Sequence, residues 1–178
     1  MIEHWFATPV SCSIASEEVK NAINKEYEDK RAEIEKNLIT GTWADNIAST
    51  FDAEKNLIEA FNLHELKKFI LASAKELTSK PLILKESWVN YSAMHNYQEY
   101  HKHGYVGISG VYYLNTNEED GRLRFHTLLP PFEDTDNFVY YQPQEGKIIL
   151  FPSWAPHSVE TNKTDSVRVS ISFNLHMD

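Results

Sequence analysis

Two short stretches concentrate residues able to do chemistry. The first reads Tyr97-Gln-Glu-Tyr-His-Lys-His103 and is followed closely by Ile108-Ser-Gly-Val-Tyr-Tyr-Leu114. In an extended strand alternate side chains face the same side, so His101 and His103 project together, with Cα atoms roughly 6–7 Å apart. Two imidazoles so placed can grip one metal ion. Taken alone, the His-x-His pair is a weak signal and more often marks the exposed polar face of a strand, here beside Lys102. The second stretch is Gly146-Lys-Ile-Ile-Leu-Phe-Pro-Ser-Trp-Ala-Pro-His157, an apolar strand running into a Pro-framed loop that ends on a histidine. Beyond it the last strand alternates: Val167, Val169, Ile171, Phe173 and Leu175 face one way, Arg168, Ser170, Ser172 and Asn174 the other. A half-buried strand with a wetted polar face more often carries Lys, Glu or Thr there. In a barrel mouth, Arg168 and Ser170 would hold a carboxylate, Arg by its planar fork and Ser by its hydroxyl.

The elements that must position these residues change character midway along the chain. Ser16 is placed to cap a helix running to about Leu38, with Val19, Ile23, Tyr27, Ile34 and Leu38 on one face. Asn62 with Glu65 resembles a capping box for a second helix, Leu63–Ser79, ended by Pro81. Thr40 to Thr50 reads as loop. From Leu82 the runs are short and β-rich: Leu82–Tyr91, Tyr97–His103, Gly107–Leu114, Arg122–Phe125, Phe138–Tyr141, Lys147–Phe151 and Val167–Leu175. Turns fall at Asn115–Gly121, Pro130–Asn137 and Asn162–Ser166. Strands behind two helices predict a mostly β jelly roll or sandwich with the N-terminal helices packed on one face. One domain is expected over 1–178, helical to about 80, with its β core over 82–175.

Bulk properties set the setting. A chain of 178 residues is long enough to bury a core unaided. Its net charge of −9 carries no nucleic-acid signature, because phosphate tracking needs clustered Lys and Arg. Cys12 is the only cysteine, which excludes an intrachain disulfide and fits a reducing cytoplasm. Met1 to Val10 lacks the basic and then apolar pattern of a signal peptide, and no apolar run has membrane-spanning length.

Jointly these motifs resemble the iron(II)/2-oxoglutarate-dependent oxygenase superfamily, whose fold is the double-stranded β-helix (jelly roll, cupin-like). That superfamily binds iron through His-x-Asp/Glu and a distant His, and binds the distal carboxylate of 2-oxoglutarate through a following Arg. The resemblance implies that His101 and His157 are metal ligands and that Arg168 and Ser170, an Arg-x-Ser pair, clamp the co-substrate. Tyr112-Tyr-Leu-Asn115 and Gly121-Arg-Leu-Arg-Phe125 are similar to the prolyl-hydroxylase-like branch, which implies a 2-oxoglutarate contact for Tyr113. A bacterial and phage group of 2-oxoglutarate-Fe(II) oxygenases is closer still, sharing His-x-His, Ser-Gly-x-Tyr-Tyr, Phe-Pro-Ser-Trp-x-x-His and Arg-x-Ser-x-Ser-Phe-Asn. The resemblance spans about Trp88 to Leu175 and, more loosely, the start around Thr8-Pro9. It implies Fe(II), 2-oxoglutarate and O2, and hydroxylation of a small-molecule or protein side-chain substrate with release of succinate and CO2.

One departure stands out: His103 occupies the position where most relatives carry Asp or Glu. Three neutral imidazoles leave Fe(II) one negative charge short of the usual site. His103 is favoured as the third ligand; the alternatives are a carboxylate from Glu99 on the same face, or His103 beside the metal rather than on it, with a halide or water in the vacant position. Asn90, sharing a strand with Trp88, is a candidate substrate or co-substrate contact. His95 and His126 read as structural, and His4, His64 and His176 as surface residues. Trp88, Trp154, Tyr105 and Tyr112 are candidate pocket or core aromatics. Two rivals stay open, a three-His cupin enzyme that does not use 2-oxoglutarate and a catalytically inactive binding module. Prime substrate and oligomeric state stay open as well.

Overall fold

The computed structural model describes residues 7–41, 47–53, 55–104, 107–127 and 137–177. In chain order the elements are β1 (Ser11–Ile14), α1 (Glu17–Ile34), β2 (Ile39–Thr40), β3 (Ala48–Ser49), α2 (Leu57–Ala60) and α3 (His64–Ala74). The strands β4 (Leu82–Ser92), β5 (Gln98–His101), β6 (Gly107–Asn115), β7 (Leu123–His126), β8 (Phe138–Tyr141), β9 (Lys147–Pro152), β10 (His157–Val159) and β11 (Arg168–Met177) follow. They form two antiparallel sheets, ordered β1-β9-β6-β11-β4-β3-β2 and β5-β10-β7-β8. This is the jelly roll expected from the helix-then-strand order.

The alternation of β11 organises the core. Val169, Ile171, Phe173 and Leu175 face the helices and pack with Ile23, Tyr27, Ile34, Leu66 and Ile70. The opposite face of the large sheet meets the small one, where Tyr113, Ile149 and Phe151 pack against Leu123 and Phe125. Strand β11 lies between β4 and β6, so its inward residues have partners on both sides. Close packing pins this strand. A Cβ on Gly110 would lie 2.5 Å from the Phe173 ring and 2.9 Å from the Ile149 carbonyl oxygen. Gly110→Ala is expected to destabilise the protein by about 1–3 kcal/mol through overpacking. Urea unfolding reads this as a lower midpoint at constant slope, and an unchanged midpoint would contradict the packing.

Ser16 caps α1 by accepting from the Val19 N–H at 3.3 Å, and the helix ends at Ile34 with a 3-10 turn, Glu35–Asn37, behind it. Asn62 does not cap the following helix. It takes a left-handed conformation (φ 55°) and closes α2, with its own N–H on Glu59 O and the Leu63 N–H on Ile58 O. Instead Glu26 of α1 accepts from the Glu65 N–H at 2.9 Å, so one helix caps the other. The second helix stops at Ala74, short of Ser79. The region read as loop, Thr40 to Thr50, contains the last residue of β2 and all of β3, on the edge of the large sheet. His4, Tyr105 and most of the Pro130–Asn137 turn lie outside the described residues. Among the described residues no helix is long and apolar enough to cross a membrane.

Candidate metal centre

His157 stands on β10, directly opposite His101 of β5 on one side and Phe125 of β7 on the other. His103 lies just beyond β5, which ends two residues earlier than the spacing suggested. Its backbone N–H donates to the Ser153 carbonyl at 2.9 Å, which ties it to the loop leading to His157. Ring centroids are 4.2 Å apart for His101 and His157, 5.2 Å for His101 and His103, and 5.1 Å for His103 and His157. One nitrogen from each ring lies within 4.8 Å of the others, and among the described residues no carboxylate joins the group. Glu99 is exposed and lines a different, outer cavity of about 950 Å³ with Glu118, Arg122 and Lys163.

The donor chemistry of the three rings follows from their partners. Each Nδ1 meets a carbonyl oxygen: Glu99 O at 2.7 Å for His101, Asn174 Oδ1 at 3.0 Å for His103, and Ala155 O at 2.9 Å for His157. A carbonyl only accepts, so each Nδ1 carries the proton and each Nε2 presents its lone pair. Burial lowers the pKa of His101. For His103, burial first and then the neighbouring His101 push it down to about 4, against the opposing effect of the hydrogen bond it donates to Asn174. Burial, reinforced by His101 and His103, holds His157 well below the ordinary range. Three neutral imidazoles converging on one point fit a divalent first-row metal.

These shifts predict a pH dependence. An imidazole whose folded pKa lies below its unfolded value binds fewer protons in the native state, so stability rises with pH across the interval between them. For His103 that interval runs from about 4 to 6.5, worth at most on the order of 3 kcal/mol at 1.36 kcal/mol per unit. The depressed carboxyls of Glu35, Asp120 and Glu160 act lower, below their ordinary values of 4.5, 3.8 and 4.5. Metal-free protein is therefore expected to lose thermal stability already between pH 6.5 and 5, and saturating divalent metal should flatten that loss. A melting temperature constant down to pH 5 would contradict the assignment.

The large sheet supplies the opposite wall as three rungs across β6, β11 and β4. They are Tyr113–Ser170–Asn90, Val111–Ser172–Trp88 and Ser109–Asn174–Glu86. Arg168 stands opposite Ser92 at the inner end and is 3% exposed. Its Nη1 donates to the carbonyls of Asp120 (2.5 Å) and Gly121 (2.9 Å). Among the described residues no carboxylate pairs with this buried cation. Asp120 instead accepts from Thr164 (2.5 Å), Ser166 (2.6 Å) and the Asn117 N–H (2.8 Å). Tyr113 is 3% exposed, and burial pushes its hydroxyl up to about 12 while Arg168 pulls the other way. Arg168, Ser170, Tyr113, Asn90 and the three histidines line one inner space, floored by Leu123 and Phe151.

That space continues into a mouth of about 300 Å³ lined by Glu86, Trp88, Asn90, Lys102, His103 and Asn174. Trp88 stacks on His103 at 5.6 Å, and Asn90 accepts from Ser49 (2.9 Å) and donates to Ser172 (3.2 Å). Other candidates lie elsewhere. Tyr112 faces the helices, edge-on to Phe69, and Trp154, partly buried, packs against the inter-sheet core. His95 donates its backbone N–H to Asn162 O. His126 contacts Ser158, Tyr100 and Phe138. His64 is exposed, as read, but His176 is half-buried. Sequence reasoning passed over Glu86 and Phe51 at the mouth. The alternation Glu86, Trp88, Asn90 on one strand face was the signal for the first.

Comparison with known proteins bears on the family and the fold. Residues 86–174, half of the chain, match the family described as "Putative 2OG-Fe(II) oxygenase". Among curated proteins none matches the sequence. HygX from Streptomyces hygroscopicus, solved with nickel, 2-oxoglutarate and hygromycin B bound, is similar in fold. It has a TM-score of 0.66, 13% identity, and coverage of 96% of this chain and 83% of that one. A Pseudomonas putida prolyl-4-hydroxylase aligns with a TM-score of 0.66 at 16% identity over 97% of this chain and 94% of its own. A prolyl hydroxylase from Trichoplax adhaerens, solved with a hypoxia inducible factor peptide, aligns with a TM-score of 0.67 at 13% identity over 96% and 83%.

Proposed function

The chain belongs to the 2OG-Fe(II) oxygenase family, enzymes that use Fe(II), 2-oxoglutarate and O2, and on that footing we propose specific roles for its residues. His101, His103 and His157 hold the iron through Nε2. Arg168, Ser170 and Tyr113 hold the distal carboxylate of 2-oxoglutarate, and Asn90 stands at the junction between co-substrate and substrate. Iron held there would supply the oxidising chemistry, in which O2 gives one oxygen atom to succinate and the other to the substrate hydroxyl as 2-oxoglutarate loses CO2. What this chain contributes is binding, orientation and exclusion of water.

The observation that carries the reading is Arg168. A buried guanidinium without a carboxylate partner among the described residues is costly unless an anion meets it. Its Nη1 is held by two backbone carbonyls, which orients the Nε and Nη2 edge for a carboxylate in the bidentate manner. Ser170 and Tyr113, adjacent on one rung, add hydroxyls on the same face. A three-His enzyme without a dicarboxylate co-substrate would have no use for this cation. Substrate, a small molecule or a peptide side chain, enters by the mouth beside Trp88 and Glu86. A cytoplasmic setting is part of this reading, resting on the single exposed Cys12.

The experiment is succinate formation from 2-oxoglutarate under air with Fe(II). Wild type should produce succinate above the level of His157→Ala. Equal succinate from both proteins would overturn the reading in favour of an inactive binding module.

A further inference from the structure

His103 differs from the other two imidazoles in what lies behind it. His101 and His157 rest on backbone carbonyls. His103 rests on a side chain, Asn174, in the middle of β11. Register places Glu86 of β4 and Ser109 of β6 directly opposite Asn174 on its two sides. All three side chains face the metal side of the sheet. Asn174 Nδ2 donates to Glu86 Oε2 at 2.5 Å, and Ser109 Oγ donates to Asn174 Oδ1 at 2.7 Å.

The orientation of the amide is dictated, because a carboxylate only accepts. Nδ2 must therefore turn toward Glu86, and Oδ1 toward Ser109 and His103. Since Oδ1 only accepts, His103 must carry its proton on Nδ1 and present the Nε2 lone pair to the metal. Glu86 thus selects the tautomer of His103 from two hydrogen bonds away. It also brings a negative charge to the back of the one imidazole that stands where relatives of the same superfamily carry Asp or Glu. Outer partners of this kind orient a ligand and raise its basicity.

We infer that Glu86, acting through Asn174, is a positioning residue that fixes His103 for metal binding and lends the three-imidazole site the anionic character it lacks. The inference rests on the proposed metal role of the three histidines. It accounts for a carboxylate at the mouth aimed along the sheet at an amide.

The test uses Co(II) as probe under anaerobic conditions, with calorimetry for affinity and the visible Co(II) absorption for geometry. Glu86→Gln keeps the side-chain shape and its acceptor but removes the charge, so it should weaken Co(II) binding roughly 10- to 100-fold. Asn174→Asp sets a carboxylate directly against His103 Nδ1. In the double variant Glu86→Gln/Asn174→Asp that charge should restore affinity to within a few-fold of wild type, along with the wild-type spectrum. A merely structural role gives the opposite, since the double variant then combines two lesions and binds most weakly. Binding by Glu86→Gln equal to wild type, or a double variant no better than Glu86→Gln, would overturn the relay while leaving the oxygenase assignment intact. Failure of wild type itself to bind Co(II) would overturn the metal site and the relay together.

Discussion

Replacing His157 by alanine is expected to strip the metal from the protein, with affinity falling by well over the roughly 10- to 100-fold typical of an outer-sphere loss. His157 is the histidine on the strand shared by β5 and β7, directly across from His101, so it fixes one ring relative to another rather than adding a detachable third donor. At 5% exposure it has no solvent-filled alternative for its place. His95→Ala is the matched control. That residue takes a left-handed turn (φ 69°) and donates its backbone N–H to the Asn162 carbonyl. Metal analysis after gel filtration reads the result, with circular dichroism showing that both variants fold. Equal iron in the two proteins would refute the assignment.

The second large effect falls on the co-substrate. A guanidinium–carboxylate pair in a water-poor pocket is charge-assisted, and removing one partner costs on the order of 2–5 kcal/mol. Arg168→Ala should accordingly weaken 2-oxoglutarate binding by roughly 30- to several-thousand-fold at 1.4 kcal/mol per decade, while iron binding stays nearly intact. Arg168→Lys should recover only part, because Lys keeps the charge without the planar fork. Calorimetry on anaerobic iron-loaded protein distinguishes the three. Equal binding by wild type and Arg168→Ala would remove the basis for the clamp.

The separation between these two effects reflects the two sheets. The proposed metal donors lie on the small sheet and its loops, and the proposed clamp lies on the large one. Much of this was legible in the sequence because period-two alternation is a local signal. Residues 168–175 declare both the helix-packed face and the polar face of β11 without any knowledge of its neighbours. Where the signal is not local, the sequence was silent. Strand β10 has only three residues behind a Pro-framed loop and so reads as loop, yet pairing on both its edges puts it at the centre of the candidate site. Asn62 carries the composition of a cap, but the short α2 before it claims its left-handed turn first. The rung Ser109–Asn174–Glu86 joins residues 65 and 88 positions apart, and no pattern within one strand reveals which residues register will set side by side.

The most direct test of the account is an anaerobic titration of the metal-free protein with Fe(II) and then 2-oxoglutarate, followed by visible absorption. The co-substrate chelating iron held by the three imidazoles should produce a weak charge-transfer band. That band should require both additions, saturate stoichiometrically with protein, and be lost in His157→Ala. Absence of the band in wild type, with no heat of 2-oxoglutarate binding to the iron-loaded protein, would contradict the account.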